Sequence, residues 1–210
     1  MRKRTLLTLV IVVAVGAGVM PGAQAGIPGV GIDDNVFTPS SVSGVAGDTL
    51  TWEWLTPARQ HNVRQNKTLF RSGSPTSEDG VTFTRVFSAG TFAYYCEVHG
   101  GPGSGMDGTV KVRPTVAEAP AGLPFTVTWA SASGNTGAAF DVEYRVGTTG
   151  DWVTWKTDTT ELSDVFGDAS DPVAVQSGVT YQVRVRSQKS VTATGKTSKF
   201  SPKVAFTPSS

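Results

Sequence analysis

The residues Tyr94-Tyr95-Cys96-Glu97-Val98-His99-Gly100-Gly101-Pro102-Gly103-Ser104-Gly105-Met106-Asp107-Gly108 run from an apolar strand into a glycine-rich loop. Cys96 and His99 enclose two residues, and Met106 lies seven positions beyond His99. Upstream, His61-Asn62-Val63 holds the only other histidine. The chain has one Cys, two His and, past Met20, a single Met. Four scarce side chains on separate stretches meet at one point only if a fold brings distant strands together.

Around this stretch the pattern is all-β. Helical periodicity is absent beyond the first 25 residues; short alternating or apolar runs are separated by Gly, Pro, Ser and Thr clusters. Strands are expected at Gly29–Asp33, Ser41–Val45, Thr49–Trp54, His61–Val63, Val81–Phe87, Gly90–Cys96 and Thr109–Arg113. A break falls at Arg113-Pro114. A second set is expected at Phe125–Ala130, Ala139–Val146, Trp152–Thr157, Thr160–Phe166, Val173–Gln176, Val179–Ser187 and Lys199–Phe206, enough for a small two-sheet sandwich. The expected organisation is therefore a leader at 1–25, a first domain at 26–113 and a second at 114–210, consistent with a total of 210 residues. Trp52 and Trp54 share a strand face and read as packing, and Asp33-Asp34 and Glu78-Asp79 read as turns.

Arg2-Lys3-Arg4, an apolar run from Leu6 to Met20 and Ala23-Gln24-Ala25 have the form of a secretory signal peptide cleaved after Ala25. The apolar run is shorter than the ~20 residues that span a bilayer. An exported chain, in the periplasm, at the cell surface or secreted, with no membrane span once processed, is the expectation. The net charge is +1, and without the three leader cations it is −2, split evenly between the two halves. A near-neutral chain with no basic cluster is not built for nucleic acid. One Cys excludes an intrachain disulfide, so in an oxidising compartment Cys96 is inert by burial, bridged to another chain, or held by a metal.

The donor set favours the metal. A thiolate and two imidazoles in a plane with a long axial thioether make a blue-copper electron-transfer site. Thiolate and thioether suit Cu(I), imidazoles accept Cu(II), and a rigid β scaffold keeps rearrangement small. Structural zinc takes four thiolates or two thiolates with two imidazoles, and catalytic zinc often takes three imidazoles; this chain has neither set. Redox C-x-x-C chemistry is impossible with one Cys. A Cys–His nucleophile wants an orienting group that one short loop places poorly.

Val36-Phe37-Thr38-Pro39, Ala46-Gly47-Asp48-Thr49-Leu50-Thr51-Trp52, His61-Asn62-Val63, Ser72-Gly73, Phe87 through Cys96, His99 and Gly105 through Val112 resemble the plastocyanin/azurin-type cupredoxins. The resemblance covers nearly all of 26–113. It implies a Greek-key β-sandwich with one type 1 copper held by His61, Cys96, His99 and Met106. It also implies that Asn62 braces the ligand loop and donates its backbone N–H towards the Cys sulfur. One departure is plain: six residues, mostly Gly, separate His99 from Met106 where the family leaves two to four. A longer, looser loop is expected, and a backbone oxygen is the alternative axial donor to Met106.

Pro124 through Trp129, Phe140 through Arg145, Trp152 through Trp155 and Gly178 through Arg186 look like a fibronectin type III module, an Ig-like sandwich with Trp129 in its core and Tyr181 at its corner. The expected function is single-electron transfer between redox partner proteins, with no enzymatic activity, since both histidines belong to one centre. The alternative is an extracellular adhesion or binding protein in which copper is sequestered or structural. The second domain reads as a spacer or weak adhesion surface, with protein or carbohydrate binding as the sharper option.

Overall fold

The computed structural model describes residues 26–55, 58–117, 124–171 and 173–209. The leader expected at 1–25 lies outside the described residues. Eight strands form the first sandwich: β1 (Val30–Asp33), β2 (Val36–Thr38), β3 (Ser41–Val45), β4 (Thr49–Trp54), β5 (Arg64–Gln65), β6 (Thr82–Val86), β7 (Gly90–Gly101) and β8 (Ser104–Arg113). One sheet has the order β2-β1-β4-β6 and the other β3-β8-β7-β5. The β1–β4 and β3–β8 pairs are parallel, so each sheet contains a crossover.

Alternation explains the layering. On β4, Leu50, Trp52 and Trp54 point inward; on β7, Phe92, Tyr94 and Cys96 do the same. Trp52 is the hub of the aromatic core, with ring centroids 5.4 Å from Phe83 and Tyr94 and 5.7 Å from Phe70. Burying each such ring contributes roughly 1.5–3 kcal/mol, which gives the ligand strands a rigid floor.

The second sandwich contains β9 (Thr115–Ala117), β10 (Phe125–Thr128), β11 (Ala139–Val146), β12 (Val153–Thr159), β13 (Ser163–Phe166), β14 (Tyr181–Gln188) and β15 (Val204–Phe206). Its sheets are β13-β10-β9 and β12-β11-β14-β15. Trp129 is fully buried and donates its indole N–H to Glu161 O at 2.7 Å.

Two expected strands do not form. His61–Val63 contributes only an isolated bridge, His61 with Thr76. Val173–Gln176 is irregular because it wraps the Tyr181 hydroxyl, which accepts from Gln176 N at 2.8 Å and donates to Ala174 O at 3.4 Å. The short β2, β5 and β9 were not legible as strands.

The sandwiches touch where β6 turns into β7. Ala89 N donates to Trp129 O at 2.7 Å, Thr91 and Lys199 exchange backbone hydrogen bonds, and Ser187 Oγ donates to Ala89 O at 2.8 Å. Among the described residues no helix is long and apolar enough to cross a membrane.

Candidate metal centre

Three of the singled-out side chains converge. The Cys96 Sγ lies 3.7 Å from Nδ1 of His61 and 3.7 Å from Nδ1 of His99, and the two Nδ1 atoms are 3.1 Å apart. An ion bonded to such donors at ~2.0–2.3 Å in a trigonal plane sets S···N separations of ~3.7–3.8 Å and an N···N separation of ~3.5–3.6 Å. Both sulfur–nitrogen distances match, and the two nitrogens stand closer together than that, so all three donors lie within reach of one metal ion. Two ring nitrogens and a sulfur facing one another need a shared cation or protons between them. One thiolate with two imidazoles, set in a rigid apolar wall, is a donor set suited to copper.

Each donor is placed by its element. Cys96 ends the inward row of β7, and beyond it the ladder with β8 breaks. Tyr95 pairs Asp107, but the next pair is Gly100 with Gly105. Residues 96–99 of β7 therefore oppose the single residue Met106 of β8. This bulge re-aims the strand, so that Val98 faces solvent while His99 turns to Cys96. Met106 is buried in the same core cluster as Cys96. The two residues added between His99 and Met106, relative to the four-residue upper limit of the family pattern, do not make a loose loop. They extend β7 and β8 into a hairpin closed at Gly101 and Ser104, with Pro102-Gly103 as its turn and Gly103 at φ 79°.

His61 comes from the segment that leads into β5, the edge strand paired with β7. Its backbone exchanges hydrogen bonds with Thr76 at 2.8 and 2.9 Å, and its carbonyl accepts from the Trp54 indole at 3.2 Å. The ring is wholly buried. Burial, followed by the neighbouring His99, lowers the pKa of His61, and Asp34 and Asp33 oppose that shift only in part. The ring is thereby held neutral, with a lone pair free for a metal.

Asn62 braces the loop through its side chain. Its amide donates to Gly73 O at 3.0 Å and to Glu97, and its Oδ1 accepts from Glu97 N at 2.9 Å. The expected bond from the Asn62 backbone N–H to the Cys96 sulfur is not formed among the described residues. Asn62 acts instead on the residue after the ligand. Glu97 in turn receives Arg64 and Arg71, with Arg71 Nε at 2.7 Å. Burial pushes the Glu97 carboxyl up, but hydrogen bonds from Asn62, Arg64 and Arg71 outweigh it and leave its pKa at about 2. Nothing in the residue types marked Arg64 and Arg71 in advance, since isolated surface arginines are common; the position of Glu97 beside Cys96 was the only signal.

No family model matches the chain. The chain is 36% identical over 88 residues to a plastocyanin of Scenedesmus fuscus, covering 37% of this chain and 87% of that one. Among solved structures, an amicyanin from Paracoccus versutus is 25% identical with a TM-score of 0.34, covering 45% of this chain and 85% of that one. A purple cupredoxin from Nitrosopumilus maritimus is 26% identical with a TM-score of 0.34, covering 40% and 97%.

Proposed function

From the premise that this chain belongs to the plastocyanin family of cupredoxins, we propose that it is an exported type 1 copper protein that carries single electrons between redox partner proteins. The convergence of Cys96 Sγ and the two imidazole Nδ1 atoms within 4.8 Å of one another is the observation that carries the reading. Cys96, His61 and His99 would hold one copper per chain, with Met106, opposite their bulge, as a fourth donor. When bound, copper supplies one-electron chemistry by alternating between Cu(I) and Cu(II).

The chain's own residues do the rest. The buried floor of Trp54, Val63 and Cys96 excludes water. The paired hairpin and the Asn62–Glu97 brace keep donor positions fixed, so little reorganises when an electron moves. His99 is half-buried and is the ligand that approaches solvent, beside exposed Val98, which makes its ring edge the exit for the electron. Both histidines serve this centre, which supports a carrier over an enzyme.

The domain division at 113/114, the leader cleaved near Ala25 and the fibronectin type III-like character of the second sandwich belong to the same proposal. The Tyr181 corner and the buried Trp129 support the last of these. The second sandwich serves as a spacer that holds the carrier near a surface or partner.

Voltammetry with measurement of self-exchange tests the function. Reversible one-electron cycling with fast exchange is expected. Copper binding with slow cycling, or binding of Cu(I) alone, would show storage or structural copper instead.

A further inference from the structure

His61 turns Nδ1 towards Cys96 and His99 and Nε2 to the other side. With the Nδ1 lone pair given to the metal, the proton of the neutral ring resides on Nε2. That Nε2 is buried without a hydrogen bond. A buried donor without an acceptor is costly, so a nearby anion matters. Facing it at 3.7 Å is Oδ1 of Asp34, in the turn between β1 and β2. The Asp34 carboxylate is 44% exposed and has no other hydrogen bond among the described residues, so it is free to close the remaining gap.

We propose that Asp34 is a positioning residue of the metal centre, its carboxylate accepting the Nε2–H of His61 and fixing that ring with Nδ1 aimed at the metal. This rests on the proposed function. Carboxylate, imidazole and metal in series is a known way to set ring orientation and raise ligand basicity. The negative charge also favours the more highly charged oxidised ion over the reduced one. The sequence gives no hint of this, because Asp33-Asp34-Asn35 has the composition of an ordinary turn.

The test uses the full chain with Asp34→Asn, Asp34→Ala and, as a neighbouring charge control, Asp33→Asn. Asp33 is a suitable control because its carboxylate is engaged by the Asp34 backbone N–H at 2.8 Å. In the copper-loaded protein, Asp34→Asn should keep the visible band and lower Cu(II) affinity about ten-fold. It should also raise the reduced-to-oxidised ratio at a fixed ambient potential by several-fold. Asp34→Ala, which removes the acceptor as well, should also move the band, and Asp33→Asn should change the ratio less than about two-fold. Wild-type ratio, affinity and spectrum in a folded Asp34→Ala protein would overturn the proposal, as would equal shifts from Asp33→Asn and Asp34→Asn.

A second readout needs no copper. In the metal-free protein the His61 Nε2–H should exchange slowly with water by NMR, quickly in Asp34→Ala, and slowly again in Asp33→Asn. Equal exchange in all three overturns the assignment even if wild-type protein takes up no copper, a result that would by itself defeat only the carrier reading.

Discussion

Glu97 directly follows Cys96, yet its carboxylate is taken up by other partners. It gathers Asn62, Arg64 and Arg71, and through Asn62 it joins the segment after His61 to the segment after Cys96. Glu97→Ala should cost about 1.5–3 kcal/mol in chemical denaturation, the range for hydrogen bonds to a charged group. It should also speed copper loss to a chelator, while Glu97→Gln keeps part of both. A second residue-scale expectation concerns Met106. Met106→Leu should leave the protein blue and change its reduction potential, since the axial donor tunes the potential. An unchanged potential would assign that place to a backbone oxygen. The convergence of His61, Cys96 and His99 was legible because they are the only residues of their types in the chain. Asp34, Arg64 and Arg71 were not, because an acid in a turn or an arginine on an edge strand acquires its role only when the tertiary fold brings its partner.

At the scale of elements, the β7–β8 hairpin sets the ligand spacing. Gly105 has φ 73°, and a Cβ there would lie 2.5 Å from His99 O, against backbone that cannot yield cheaply. Gly103 has φ 79° but open space around it. Gly103→Ala should therefore cost about 1–2 kcal/mol, the left-handed backbone penalty alone. Gly105→Ala should cost more and displace His99, visible as a broadened or shifted absorption band. Equal effects from the two would show that the hairpin does not transmit strain to the ligand. Strands with clean alternation, such as Thr49–Trp54 and Ala139–Val146, stand where the sequence placed them. The glycine-rich segment misleads because composition reports backbone permissiveness, whereas the ladder from Gly100 to Gly105 supplies the order. Short strands such as Val36–Thr38 carry too few residues to show a period, and their pairing with β1 decides them.

At the scale of the molecule, the second sandwich meets the first at Ala89 and Thr91, the end of β7 remote from Cys96. The six residue steps of strand from Gly90 to Cys96 span ~20 Å. The second sandwich thus joins the first away from Cys96 and His99. The contact combines Ala89, buried in the second sandwich's core, with a buried polar pair, the Ser88 and Ser187 hydroxyls 2.8 Å apart. Ser187→Trp should overpack it at a cost of about 1–3 kcal/mol. Calorimetry should then resolve separate unfolding transitions for the two sandwiches while the visible spectrum stays unchanged. A changed spectrum would mean that the two ends are coupled. A Cu(II) titration of the purified chain, followed by visible absorption, tests most directly for one metal atom held by one sulfur and two ring nitrogens. One equivalent should produce an intense blue band that is absent from Cys96→Ser. A colourless wild-type protein, or a band that survives Cys96→Ser, would contradict that assignment.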